Sequence, residues 1–165
     1  MGAVATIGYE RTDADKFVAA LKEAGVDLLV DVRMVPFSHK PGFTQAPLRG
    51  LLAAAAIDYL HLKELGNPKE GRDAAKAGDE AVFRSVYMAQ MATSAAQRAI
   101  LRVVELGRLR RPCLMCFERD HRHCHRGMVA EVVEAHGLHV RHLEPAERDK
   151  PLPRRRPPAA QGTLF

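Results

Sequence analysis

Within its first thirty-three residues the chain reads strand, helix, strand. ATIGY, at 5–9, is a short β-prone run. DADKFVAALKEAGV follows, with Phe17, Val18 and Leu21 at helical spacing and Gly25 placed to end the helix. DLLVDVR, at 27–33, is too short for a helix and apolar enough for a strand buried on both faces. Two strands joined by a helix over so short a stretch run parallel, because a parallel pair needs a crossover of about a dozen residues or more. The unit is a βαβ crossover, and it points to an open, mainly parallel α/β sheet.

The rest of the chain continues the alternation. MVPFSHKPGFTQAP, at 34–47, reads as a loop, and a helix resumes over 48–57. DYLHLKEL supplies a short strand, and the polar residues 67–80 read as a mobile loop or weak helix. Residues 81–107 make two helices, with Phe83, Tyr87, Met91, Ile100, Leu101 and Val104 as core candidates. RPCLMCF is a buried strand, residues 125–137 are a helix stopped by Gly137, and residues 139–145 are a last strand. The expected fold is a single three-layer α/β domain over 1–145, with a mainly parallel sheet of four to five strands. Beyond it come a Pro/Arg-rich flexible linker over 146–160 and a terminal peptide over 161–165.

Composition limits the function classes. A chain of 165 residues suits one core. No apolar run approaches the roughly 20 residues needed to span a bilayer, and MGAVATIGYE lacks the basic start of a signal peptide. Three cysteines make no disulfide framework, which favours a reducing cytoplasm. Four of the five net positive charges come from Lys150, Arg154, Arg155 and Arg156, so the remainder sums to only +1. A basic arm of this kind suits nucleic-acid phosphates or serves as a solubilising linker.

In open α/β sheets ligands bind beyond the carboxyl ends of the strands. That rule nominates Tyr9 and Glu10, then Asp31 and the run from Arg33 through Ser38, and then Phe117 through Arg126 within the segment CFERDHRHCHRG at 116–127. Three readings of this segment compete. As a metal site, Cys113 and Cys116 fail as a chelating pair, because positions i and i+3 of a strand face opposite ways; Cys116, Cys124 and a histidine are the surviving set. As a phosphatase-like loop, Cys116 and Arg122 have the right spacing, but the bulky FERDH between them would obstruct an anion cradle. As an acid/base and anion pocket, Glu118 and Asp31 supply carboxylates, His125 shuttles a proton, and Arg33 and Arg126 bind an anion. The third reading is preferred, with Cys116 and Cys124 as packing residues and with no metal and no cofactor.

TIGYE, DVRMVPFSHKPGF, YLHLKELG and CFERDHRHCHRG together resemble the domain-of-unknown-function family 488. The resemblance runs from about residue 5 to 143 and maps the family pattern onto Tyr9, Asp31, Arg33, Pro36, Ser38, Gly66, Cys116, Glu118, Cys124, His125 and Arg126, with Asn67 standing where a second glycine is usual. It implies a Rossmann-like fold and little about activity. QGTLF, at 161–165, resembles the peptide by which proteins bind the bacterial sliding clamp, with Gln161, Leu164 and Phe165 as the anchors.

These leads combine into one expectation: a cytoplasmic, nucleoid-associated bacterial DNA repair enzyme tethered to the clamp, a DNA-binding hydrolase of glycosylase-like type that removes a damaged or modified base. Glu118, Asp31 and His125 would be catalytic, and Tyr9, Arg33, Ser38 and Arg126 would bind substrate. The expected partners are DNA and the clamp, with no membrane. A non-catalytic nucleotide-binding adaptor and rhodanese-like sulfur transfer through Cys116 are the alternatives.

Overall fold

A computed structural model describes residues 2–150. β1 (Ala3–Gly8) is followed by α1 (Ala14–Glu23) and β2 (Leu28–Asp31). Asp13 caps α1 by accepting the backbone N–H of Lys16 at 2.9 Å. Gly25, at φ 71°, ends the same helix turn in a conformation that side chains disfavour. The helix holds to the sheet through fully buried Phe17 and Leu21, each worth about 1.5–3 kcal/mol of transfer free energy.

α2 (Gln45–Ala54) and β3 (Asp58–His61) come next, then α3 (Lys69–Lys76), α4 (Glu80–Met91), α5 (Ser94–Leu109), β4 (Pro112–Cys116), α6 (His125–Ala135) and β5 (His139–Leu143). The five strands form one sheet in the order β3-β2-β4-β1-β5, and every pairing is parallel. One face packs on α1 and α2, through Ile7, Leu29 and Met115 of the sheet. The other packs on α3 to α6, through Val4, Val30 and Leu114. The three-layer parallel α/β fold expected from the sequence is thus the observed one.

Several local expectations change. α2 begins at Gln45 rather than after Pro47, because a proline in the first turn lacks only an N–H that would have no helical partner. Residues 69–76, read as loop or weak helix, form α3, whose buried residues are only Gly71 and Ala74. Leu101 is 58% exposed, while Val103 takes the inward position beside Ile100 and Val104. Cys113 and Cys116 do lie on opposite faces, one in each core cluster, as strand geometry requires. No helix among the described residues is long and apolar enough to cross a membrane.

Past residue 145 the chain lies against the start of α1. Thr12 Oγ1 donates to the Ala146 carbonyl at 2.6 Å, and the Arg148 N–H donates to the Arg11 carbonyl at 2.7 Å. The linker reading beyond residue 150 and the terminal-peptide reading of 161–165 lie outside the described residues.

Candidate functional site

β1, β2 and β4 end side by side and run on into Tyr9, Val32 with Arg33, and Phe117 with Glu118. β1 and β4 are neighbours whose following helices pack on opposite faces, α1 on one and α6 on the other. Chain leaving in opposite directions opens a crevice at the carboxyl ends of such a pair. A cleft of about 630 Å³ lies there. Buried Tyr9, Arg33, Cys116 and His125 line its depth, with half-buried Glu118 beside them. Exposed Val35, Phe37 and Phe117 give it an apolar, aromatic rim, and α3 contributes Arg72 and Lys76.

Asp31 is fully buried and lies outside the cleft lining. Its Oδ1 accepts Arg33 Nε at 2.9 Å and the Arg33 backbone N–H at 3.1 Å. Its Oδ2 accepts Arg33 Nη2 at 2.8 Å and the Tyr59 hydroxyl at 2.6 Å. Such a bidentate pair orients both partners. Burial alone would disfavour the Arg33 charge, but the hydrogen bond and field of Asp31 outweigh it and hold the guanidinium protonated above its usual range. Burial, reinforced by Asp31, likewise raises Tyr59. Arg33 Nη1 also donates to the Phe43 carbonyl at 2.7 Å and to the Tyr9 hydroxyl at 3.3 Å, and the Tyr9 ring stacks on Phe43 with centroids 4.5 Å apart.

Ser38 also lies outside the cleft lining. Its Oγ accepts the Lys40 N–H at 3.1 Å and its N–H donates to Thr44 Oγ1 at 3.2 Å, so it closes the turn ahead of α2. Lys40 Nζ, in turn, donates to the carbonyls of Tyr9 and Thr12 at 2.6 and 2.7 Å.

Arg126 is 1% exposed and reaches under the segment after β4. Nη1 donates to Cys116 Sγ at 3.1 Å and to the Glu118 carbonyl, Nη2 to the Arg119 carbonyl at 3.1 Å, and Nε to Thr6 Oγ1 at 3.3 Å. Burial brings its pKa down to about 10, against the opposing field of Glu118. All three of its nitrogens are engaged, and it does not line the cleft. The same segment crosses β1 so closely that a Cβ on Gly8 would collide with the Glu118 carbonyl. Glu10 adds a tie by accepting the Arg119 N–H at 3.0 Å.

His125 opens α6. Its Nε2 lies 2.8 Å from the Val32 carbonyl, which can only accept, so Nε2 carries the proton. Burial lowers its pKa to about 4. Burial also raises the carboxyl of Glu118, partly offset by its own backbone N–H and by Arg126. Glu118 Oε2 lies 3.6 Å from Cys116 Sγ. Cys116 and Cys124, read from the sequence as separate packing residues, come together: their sulfurs meet within covalent reach.

Of the residues nominated from the sequence, Tyr9, Arg33, Glu118 and His125 line the cleft, whereas Asp31, Ser38 and Arg126 brace its surroundings. Arg72 and Lys76 were missed because α3 has no apolar stripe; the pairing of Lys69 with Asp73 one turn on, at 2.8 Å, was the available helix signal.

A search of curated proteins and of solved structures gave no match. The family model described as a domain of unknown function, DUF488, matches residues 13–133. The match begins at the Asp13 cap, after Tyr9, and takes in Asp31, Arg33 and the whole 116–127 segment. The chain belongs to the DUF488 family.

Proposed function

We propose that the cleft takes a single nucleotide unit of DNA and that Glu118 serves the hydrolytic removal of a damaged or modified base from it. The observation that carries this reading is a desolvated carboxyl, Glu118, set beside the exposed rings of Phe37 and Phe117. Aromatic faces of this kind accept a base by stacking. Arg72 and Lys76 offer cations to phosphate at the same cleft. A base removed from its stack needs such a pocket, and a carboxylate beside it can take the proton of an attacking water. In that step the water oxygen bonds to the sugar carbon as the carbon–nitrogen bond to the base breaks. The water proton passes to Glu118 and from there to the departing base, which restores the carboxylate.

In this scheme Asp31 and Arg33 position Tyr9, and Arg126 holds the Glu118 segment. His125, fixed by the Val32 carbonyl, orients the mouth of α6. Phe117→Ala is expected to weaken binding of a single-stranded oligonucleotide by about 1–3 kcal/mol, or roughly 5- to 150-fold, in a fluorescence anisotropy titration. Unchanged affinity would remove the ring from the proposed site.

Tethering by Gln161, Leu164 and Phe165 suits a domain whose own charge is nearly balanced, because effective concentration then substitutes for intrinsic affinity. Purified bacterial sliding clamp should retain the full chain in a pull-down and lose it when residues 161–165 are deleted. Equal retention of both would end that part of the reading.

A further inference from the structure

We propose that Cys116, Cys124 and His125 form a binding site for one zinc-like divalent metal ion, with a coordination position open to the cleft. The donor set comes from two ends of one connection. Cys116 closes β4, while Cys124 and His125 are the cap and first residue of α6. A short 3-10 turn, His121–His123, folds the intervening chain back so that the two ends meet. All three residues are buried, and their ligating atoms lie within 4.8 Å of one another.

The histidine is set up as a ligand. With the proton on Nε2 and given to Val32, Nδ1 is left with a bare lone pair, 3.8 Å from Cys124 Sγ. A tetrahedral zinc with bonds of about 2.3 Å to sulfur and about 2.0–2.1 Å to nitrogen would hold those two atoms roughly 3.6 Å apart. Ligating histidines characteristically donate their other ring N–H to a carbonyl or carboxylate, which fixes tautomer and ring plane.

Two further features favour a pair of thiolates here over a crosslink. The Cα atoms of Cys116 and Cys124 are 7.4 Å apart, beyond the roughly 4.4–6.8 Å that a disulfide usually spans. Two cysteines on one zinc keep their sulfurs about 3.8 Å apart, which suits the wider backbone spacing. Independently, the buried Arg126 guanidinium has no carboxylate within salt-bridge distance among the described residues. Its Nη1 points instead at Cys116 Sγ, 3.1 Å away. A thiolate there supplies the missing counter-charge, and a neutral disulfide sulfur does not.

Two sulfurs and one imidazole select zinc-like ions over magnesium or calcium. Three protein ligands leave a tetrahedral ion one position for water or substrate, the arrangement of catalytic rather than structural sites. Cys116 and His125 both line the cleft, so that position faces it, near Glu118. The site is argued from its donors alone and stands whether or not the cleft takes a nucleotide.

The test uses the full chain purified under reducing conditions, with no nucleotide present. Elemental analysis should find one zinc per chain. After chelation, added cobalt should give tetrahedral visible bands and a thiolate charge-transfer band in the near ultraviolet. Cys124→Ser and His125→Ala should each lose that spectrum or weaken uptake at least tenfold, while Cys113→Ala, altered in the opposite core, keeps both. Because the wild-type cobalt spectrum reports thiolate ligation directly, a variant that fails to fold does not blunt the test. A reduced wild-type chain that takes up neither ion, or a cobalt complex without the thiolate band, overturns the proposal.

Discussion

Asp31→Ala is expected to lower the free energy of unfolding by about 3–5 kcal/mol, because it strands a buried guanidinium. The side chains of Asp31 and Arg33 are 0% and 7% exposed, and the carboxylate accepts two guanidinium nitrogens, a backbone N–H and the Tyr59 hydroxyl. Removing it leaves Arg33 charged with only the Phe43 carbonyl and the Tyr9 hydroxyl as acceptors. Tyr59→Phe, which deletes one bond from the same carboxylate, should cost only about 0.5–1.5 kcal/mol. Urea unfolding of the three proteins measures both values. A loss for Asp31→Ala no larger than that for Tyr59→Phe would mean that the pair is not what braces the second strand end.

Glu118→Gln should do the reverse, leaving stability nearly unchanged and lowering the rate of the proposed base removal by about 10²–10⁴-fold, the usual contribution of a positioned acid or base. The Glu118 side chain makes no salt bridge among the described residues, and the contacts that hold its segment run through the Glu118 and Arg119 backbone. An amide of the same shape therefore keeps the segment in place while losing the proton-transfer group. Cys116→Ser provides the contrast: loss of activity only in that variant, from a wild-type chain shown to hold no zinc, would favour sulfur transfer over hydrolysis. If neither substitution matters, while deletion of residues 161–165 abolishes the cellular phenotype, the adaptor reading takes over.

The strands were legible in the sequence because each internal one is a short apolar run between polar breaks, and β2 and β4 are buried along their whole length. α3 was not legible. It packs through Gly71 and Ala74, small residues that leave no hydrophobic periodicity to read. The polar residues divide in the same way. Tyr9, Arg33 and Glu118 follow strand ends, where the carboxyl-end rule looks for a site, and all three line the cleft. Arg126 was assigned to the pocket, yet it stands three, four and seven residues ahead of Val129, Ala130 and Val133, the buried stripe of α6. Helical spacing therefore turns it inward, and that signal was present in the sequence. The meeting of Cys116 with Cys124 depends on the 3-10 turn between them, and no local pattern specifies how far such a connection folds back.

Incubation of the wild-type chain and the Glu118→Gln variant with a panel of duplexes, each carrying one modified base, tests the proposed chemistry most directly. Release of a free base from at least one duplex by the wild type, reduced at least a hundredfold in the variant, is the expected result. No release from any duplex, or equal release by both proteins, would contradict the assignment of Glu118 as the hydrolytic acid/base.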